Sequence, residues 1–373
     1  MKKSMNGLAV LIGLSLSLPV LADLKPFYTD EGVCSFKNSL GEVVVPAKNY
    51  LSCGEFSEGL THIGVVRDHF DGTYNHYQGF IDRSGNTVIP TDHIVSESGA
   101  YGETDFRDFH NGLVAVFKSK PNAEGIYGYM NKQRELIVPY EYDSADDFKD
   151  GLAVVSKNRG LNDNPRSGVI DRTGRLVIPL KYESLWGYAE GMFIYGEKSH
   201  WGDDLIYGFL DKKGDVKVKA KWNDILPFSE GLATVNIGDW GFVDKSGNYA
   251  ITPKYSDAYS FSEGLAFVRV GNEDDGKWGV INKQGNYIIA PQYDFIDPFS
   301  FSECCDSGTD DFAGAYKNGN AYVYDFMNKK KGKYGPIVRH TIDSKGNVIG
   351  KKLFADWNAL YDHIWQTHND NNS

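Results

Sequence analysis

The sequence predicts an all-β protein built from a repeated unit of about 40 residues. Two motifs recur along the chain: a turn in which Asp or Asn precedes Gly by three residues, and the pentapeptide Phe-Ser-Glu-Gly-Leu. The composition agrees, since the 373 residues include 41 Gly, 23 Tyr and 21 Phe, which is typical of turns and strands rather than of helical bundles.

The turn motif sets the number of units. Its Asp or Asn residues are spaced by 44, 49, 40, 40, 33 and 38 residues and lie at Asn38, Asp82, Asn131, Asp171, Asp211, Asp244 and Asn282. This gives about seven units, of which the first is divergent. Residues 342–347 resemble a degenerate eighth copy of this turn.

Each unit reads as at least three short antiparallel strands. Residues 242–247 form a strand that runs into a tight turn, where Asp244 caps the backbone and Gly247 supplies a positive φ. The returning strand ends at a Pro, and the apolar stretch 151–155 begins a third strand. One such unit cannot bury its own faces, so we expect neighbouring units to stack.

Two architectures fit a stack of this kind. Seven units of this length suit a β-propeller, whose blades are four-stranded sheets, and this is the architecture we favour. The uneven spacing is better tolerated by the alternative, an open curved β-solenoid of hairpins. We therefore predict a β-propeller-like array followed by a short C-terminal helix.

The repeated unit resembles the WG-containing repeat (Lys-Trp-Gly repeat) of bacterial proteins. The motif Trp-Gly-Phe-Val-Asp-Lys-x-Gly at residues 240–247 carries this resemblance, together with the following Pro and Phe-Ser-Glu-Gly-Leu at residues 261–265. The pattern covers about residues 33–305, although only Trp240 and Trp278 keep the Trp and Lys219 replaces the usual Pro. The resemblance implies a β-repeat fold without common catalytic residues.

The chain begins with a predicted signal peptide, residues 1–22. Lys2 and Lys3 precede a short apolar stretch, and Val20 and Ala22 supply the small residues of a cleavage site. The apolar stretch is too short to span a bilayer. We expect a mature protein with no membrane span, in the periplasm or secreted, whose formal charge falls from −11 to −13 with the loss of the two lysines. That acidity disfavours nucleic acid as a partner.

The rest of the chain divides at residue 305. Residues 23–305 are predicted to be the WG-repeat β domain and residues 306–373 a C-terminal extension. Apolar residues three and four apart predict an amphipathic helix over residues 353–366, followed by a disordered tail. The helix either caps the last repeat or docks a partner through Trp357 and Trp365.

The four cysteines are candidates for disulfides in an oxidising compartment. Either Cys34 pairs with Cys53 in a local loop, or this pair bonds to Cys304 and Cys305 near the other end of the array. A bond between the two ends would clasp a ring.

No catalytic or metal-binding motif is evident. Five acidic residues precede Gly or Cys in the same motif position, and this repetition indicates a turn role rather than catalysis: Glu58, Glu190, Glu230, Glu263 and Glu303. The spacing of His62, His69 and His76 does not suit a common metal sphere on a strand. We expect no cofactor and no enzymatic activity.

The predicted function is a non-enzymatic binding scaffold that presents its repeat surface to a protein partner. One alternative is binding of a cell-envelope glycan, with Trp186, Trp201 and Trp222 stacking on sugar rings, although ordinary repeat packing is the commoner role of such residues. The second alternative is an enzyme with a site in the central channel.

Overall fold

The fold is an array of eight antiparallel β-sheets. The computed structural model describes residues 24–363 except 47, 69–73, 98–106, 121–122, 159–163, 200–203, 273–274, 297–315, 317, 328–334 and 361. Thirty strands form within these residues, and in each sheet they lie side by side in chain order. Each sheet is therefore a local meander, as the spacing of the turn motifs predicted.

The strand bounds define the sheets, numbered along the chain. Sheet 1 contains β1 (Lys25–Tyr28), β2 (Cys34–Lys37) and β3 (Val43–Val45). Sheet 2 contains β4 (Ser52–Cys53), β5 (Leu60–Asp68), β6 (Tyr74–Asp82) and β7 (Thr87–Glu97). Sheet 3 contains β8 (Leu113–Lys120), β9 (Ala123–Asn131) and β10 (Leu136–Tyr142). Sheet 4 contains β11 (Ser144–Ala145), β12 (Leu152–Lys157), β13 (Arg166–Asp171) and β14 (Leu176–Tyr182).

The second half of the array repeats the four-stranded pattern. Sheet 5 contains β15 (Ser184–Ala189), β16 (Met192–Lys198), β17 (Leu205–Asp211) and β18 (Val216–Trp222). Sheet 6 contains β19 (Asp224–Ile225), β20 (Ala233–Asn236), β21 (Trp240–Val243) and β22 (Tyr249–Tyr255). Sheet 7 contains β23 (Asp257–Ala258), β24 (Leu265–Val270), β25 (Lys277–Asn282) and β26 (Tyr287–Tyr293). Sheet 8 contains β27 (Phe295–Ile296), β28 (Asn320–Phe326), β29 (Ile337–Asp343) and β30 (Val348–Phe354).

The Gly of the Trp-Gly motif permits a close approach between the last two strands of a sheet. In sheet 6 a Cβ on Gly241 would lie 2.7 Å from the carbonyl oxygen of Ile251, at a bulge between β21 and β22. The same close approach recurs at Gly79, Gly128, Gly168, Gly208 and Gly279. A side chain at this position would push the two strands apart, which explains why the repeat requires Gly there.

The hydrophobic core lies between successive sheets. Phe209 and Trp222 of sheet 5, for example, share one cluster with Phe228, Val235 and Val243 of sheet 6. Equivalent clusters join each sheet to the next one along the chain. Stacking of neighbours thus buries the faces that a single unit cannot bury.

Part of the uneven spacing of the repeats arises in one connection of each four-stranded sheet. The connection between the second and third strands of a sheet covers only residues 237–239 in sheet 6 but residues 327–336 in sheet 8. In every four-stranded sheet, this connection lies at the end opposite to the tight turns that join the other strands. Insertions there leave the sheet stack unchanged, so the spacing does not argue against a propeller-like arrangement.

The C-terminal part of the chain corrects the predicted boundary at residue 305. Strands β28, β29 and β30 pair with β27 to complete sheet 8, so the β array extends to Phe354. Residues 342–347 contain the end of β29 and the turn into β30, as their resemblance to a degenerate eighth copy indicated. The sequence concealed this sheet because Arg339 and His340 stand where Trp and Gly are usual.

The predicted helix over residues 353–366 begins later than expected. Residues 353–354 end strand β30, and helical residues are 357–360 and 362–363. Leu360 is completely buried against Phe295, Tyr324 and Phe354 on the face of sheet 8 opposite to sheet 7. The helical segment therefore caps the last sheet. The predicted tail lies outside the described residues.

Candidate functional site

One end of the sheets carries tight turns with a repeated geometry. Ser57 and Leu60 pair across a two-residue turn in which Glu58 has φ of 50° and Gly59 has φ of 85°. Two successive positive φ angles define the hairpin turn that favours Gly at its second position. Six further turns have the same φ signs, at residues 111–112, 150–151, 190–191, 230–231, 263–264 and 318–319.

The acidic side chains of these turns connect neighbouring sheets. The carboxylate of Glu190 accepts a hydrogen bond of 3.0 Å from the backbone N–H of Gly231, which lies in the corresponding turn of the next sheet. Glu58, Glu230 and Glu263 accept equivalent bonds from Gly112, Gly264 and Gly319. These contacts confirm the predicted turn role of the four glutamates, whereas Glu303 lies outside the described residues.

A lysine from the next sheet completes this connection. Lys245 donates to the carbonyl oxygen of Glu190 at 2.8 Å and lies 3.1 Å from its carboxylate. Lys132 bridges to Glu58 and Lys283 to Glu230 in the same way. Burial would raise the pKa of Glu190, but the bonds from Gly231 and Lys245 outweigh it and lower the pKa. We call this end of the array the bridged end.

The turn aspartates act as backbone caps at the same end. The Oδ1 atom of Asp244 accepts hydrogen bonds from the N–H groups of Ser246 and Asn248 at 2.9 and 3.0 Å. Asp82, Asp171, Asp211 and Asp343 cap their turns in the same way. The hydrogen bond from the Thr173 hydroxyl is the largest influence on Asp171 and lowers its pKa to about 2. Thus both repeated acid positions have structural roles.

The opposite end of the sheets carries the connections of variable length described above. We call it the variable end. Near it, Asp224 and Asp257 occupy the same position in the first strands of sheets 6 and 7, and each accepts a hydrogen bond of 2.8 Å from the next residue's N–H. Burial raises the pKa of both carboxyl groups, and the charge of Asp224 raises that of Asp257 further.

The structure separates the tryptophans predicted as binding residues. Trp222 is completely buried, and its indole N–H lies 3.3 Å from the hydroxyl of Tyr249. Its prediction as a sugar-stacking residue is therefore corrected, because no ring face reaches solvent. Trp186 is half-buried and packs edge-on against Tyr207, with ring centroids 6.4 Å apart.

Trp357, the described tryptophan of the predicted C-terminal extension, lies at sheet 8. Trp357 is half-buried and packs against Phe295, with ring centroids 5.4 Å apart, so it contributes to the cap. Trp201 and Trp365 lie outside the described residues. The described tryptophans therefore do not form one common binding face.

The disulfide joins Cys34 and Cys53, whose Cα atoms are 6.1 Å apart. It links the second strand of sheet 1 to the first strand of sheet 2, so the local pairing is the one present. Cys304 and Cys305 lie outside the described residues.

The predicted absence of a metal motif remains a prediction. Of the histidines considered, His62 lies 3.0 Å from a carboxylate oxygen of Asp108, and His76 packs against Tyr74. Among the described residues, no three His, Cys, Asp or Glu side chains cluster in a way suited to a metal ion. Nor does any helix within the described ranges have the length and hydropathy that a bilayer crossing requires.

These features define a propeller-like β-repeat protein. Family models identify the repeat as the WG containing repeat, with five consecutive matches at residues 127–159, 168–198, 207–239, 240–273 and 278–303. Residues 127–303 thus carry five WG-containing repeats, as the motifs implied. A search of curated proteins finds no match.

Solved structures with similar folds include a eukaryotic initiation factor, at a TM-score of 0.53 and 9% identity over 88% of this chain and 87% of that one. AztD from Citrobacter koseri gives a TM-score of 0.36 and 14% identity over 88% and 93% of the two chains. TolB from Acinetobacter baumannii gives 0.28 and 13% over 71% and 77%. The likeness to the initiation factor is one of fold alone.

Proposed function

We propose that this protein is a non-enzymatic scaffold that binds a protein partner through the variable end of its sheets. The contrast between the two ends carries this proposal. At the bridged end, the same glutamate, glycine and lysine contacts join three pairs of neighbouring sheets (2 and 3, 5 and 6, 6 and 7), so a change there disturbs the stack. At the variable end, the connections change in length from sheet to sheet without affecting strand pairing.

Loops that vary on a rigid framework are where binding residues concentrate. A stack of sheets also offers a broad surface, which suits a protein partner better than a small ligand. Ile237 illustrates the exposed apolar surface at this end, since its side chain lies in the short connection of sheet 6 and is 51% exposed.

We further propose that the protein acts in the periplasm or outside the cell. The disulfide between Cys34 and Cys53 supports an oxidising compartment, because such bonds are rare in the reducing cytosol. The signal sequence at residues 1–22 supplies the export route. N-terminal sequencing of the purified protein should then begin at Asp23, and an intact Met1 in the exported protein would contradict this step.

The partner is tested by photo-crosslinking in cells. A photoreactive amino acid at Ile237 samples the variable end, and the same amino acid at exposed Lys213 samples the bridged end. We expect one specific crosslinked protein from position 237 and none from position 213. A crosslink to that protein only from position 213 would contradict the proposed surface, and no protein crosslink from position 237 would contradict a protein partner there.

Two other experimental outcomes would favour a different function. Saturable binding to purified envelope polysaccharide, reduced by Trp186→Ala, would favour a glycan ligand instead. Turnover of an envelope polymer, abolished by Asp257→Asn with the fold intact, would establish an enzyme.

A further inference from the structure

One of the bridges at the bridged end lacks its carboxylate. In three places a lysine of one sheet binds the turn glutamate of the preceding sheet: Lys132 to Glu58, Lys245 to Glu190, and Lys283 to Glu230. Between sheets 3 and 4 the cation is Arg172, which follows the turn residue Asp171 as Lys245 follows Asp244. The residue in the glutamate position is Asn111, which is neutral and one methylene shorter.

Asn111 keeps only half of the usual contacts. Its side-chain oxygen accepts a hydrogen bond of 2.6 Å from the N–H of Gly151, as the glutamates do with their glycines. Arg172, in contrast, has no hydrogen bond or ion pair with any residue that the structure describes. Its guanidinium lies against Gly112, where an added Cβ would be 3.0 Å from a terminal nitrogen. The exposed Arg172 therefore lies beside this turn, and no described carboxylate is within ion-pair distance of it.

An open cavity of about 390 Å³ lies at this position. Its polar lining consists of Arg172 and Lys132 together with Asn131 and Gln133, and its apolar lining comes from Leu113 and Ile137. Lys132 is already paired with Glu58, whereas Arg172 has no ion pair among the described residues. The cavity thus combines the exposed guanidinium of Arg172, two amide side chains and a small apolar wall.

We propose that this cavity binds an aliphatic carboxylate supplied from outside the chain, with Arg172 as its principal ligand. The repeat itself identifies the group that fits, because neighbouring bridges place a carboxylate beside the equivalent cation. A guanidinium also binds a carboxylate through two parallel N–H donors, a geometry that lysine lacks. The short aliphatic part of the ligand packs against Leu113 and Ile137.

The proposal is tested by isothermal titration calorimetry of the full mature chain with butyrate, at constant ionic strength set by sodium chloride. We expect saturable binding to the wild type. Arg172→Gln should weaken it by about tenfold or more, the scale of a lost hydrogen-bonded charge. Asn111→Glu should weaken it similarly, because the new glutamate would occupy Arg172 from within, as in the other bridges.

The matched control is Asn111→Gln, which has the length of glutamate but no charge and should leave butyrate binding within about threefold of the wild type. All three variants should keep the wild-type circular dichroism spectrum, since four other turns already hold glutamate at this position. An absence of saturable binding to the wild type would overturn the proposal. So would binding that neither Arg172→Gln nor Asn111→Glu weakens.

The carboxylate can come from a free small acid or from an acidic side chain of a protein. A blocked peptide, acetyl-Ala-Glu-Ala-amide, distinguishes the two sources in the same titration. Tighter binding of the peptide than of butyrate supports a protein side chain, and the reverse order supports a free acid. In either case the proposed site requires that Arg172→Gln weakens binding of the preferred ligand, butyrate or the peptide.

Discussion

The ammonium group of Lys245 donates a hydrogen bond of 2.8 Å to the backbone carbonyl of Glu190, a residue of the preceding sheet. The same nitrogen lies 3.1 Å from the Glu190 carboxylate, which in turn accepts a bond from the N–H of Gly231. One lysine thereby fixes two turns of neighbouring sheets. The contact recurs at Lys132 and Lys283, so it belongs to the repeat rather than to one site.

Lys245→Met should destabilise the protein modestly. Both side chains of the pair are partly exposed, 45% and 31%, so water screens the charge interaction and we expect a loss of roughly 1 kcal/mol. Urea unfolding followed by fluorescence measures it. Lys213→Met, at an exposed lysine of the equivalent turn in sheet 5, is the control and should change stability by less. Equal losses in both variants would contradict the bridge.

Asp257→Asn should stabilise the protein at neutral pH. Burial raises the pKa of Asp257, and the hydrogen bond from Ala258 and the charge of Arg269 only partly offset it. A carboxyl with a raised folded-state pKa binds its proton more tightly when folded, so stability falls as the pH rises through that pKa. Unfolding curves should show the variant to be more stable at pH 7, with the difference diminishing on acidification. If the stability difference between the variant and the wild type were the same at pH 7 and in acid, the raised pKa of Asp257 could not be its cause.

Asp171→Asn should show the opposite dependence. The pKa of Asp171 is lowered to about 2, so its ionised form stabilises the fold above the ordinary value of 3.8 and this contribution is lost as the pH falls through about 2. The variant should therefore be less stable than the wild type at pH 7, with the gap narrowing in acid. Because Asn131 and Asn282 cap equivalent turns, the variant should still fold.

Trp222→Ala should be among the most damaging single changes. The indole is completely buried between sheets 5 and 6, so its removal leaves a cavity. Substitutions of this kind cost about 3–5 kcal/mol. Trp186→Ala, at a half-buried tryptophan of sheet 5, should cost clearly less in the same unfolding experiment. A similar loss in both would contradict the different burial of the two rings.

The disulfide should be found by peptide mapping. Trypsin digestion without reduction should give one linked species that contains Cys34 and Cys53, and reduction should separate it. A bond from either residue to Cys304 or Cys305 would overturn this pairing. Because the loop between the two cysteines is short, Cys34→Ser with Cys53→Ser should lower the unfolding free energy by about 3 kcal/mol.

The sequence by itself determined the local structure. The turn at residues 244–247 depends only on an aspartate that caps nearby N–H groups and a glycine that accepts φ of 80°. The turn at residues 230–231 depends likewise on two adjacent positive φ angles. Such motifs act over four or five residues, so their repetition was sufficient to predict an all-β array.

Only the tertiary structure decided what lies between the sheets. Lys245 and Glu190 are 55 residues apart in the chain, and Arg172 lies against Gly112, which is 60 residues before it. No local sequence pattern could have predicted either contact. The stacking of sheets buries Trp222. Strands β27 to β30 pair to form an eighth sheet. Burial and charge pairing depend on which faces meet, and the packing of complete sheets sets those faces.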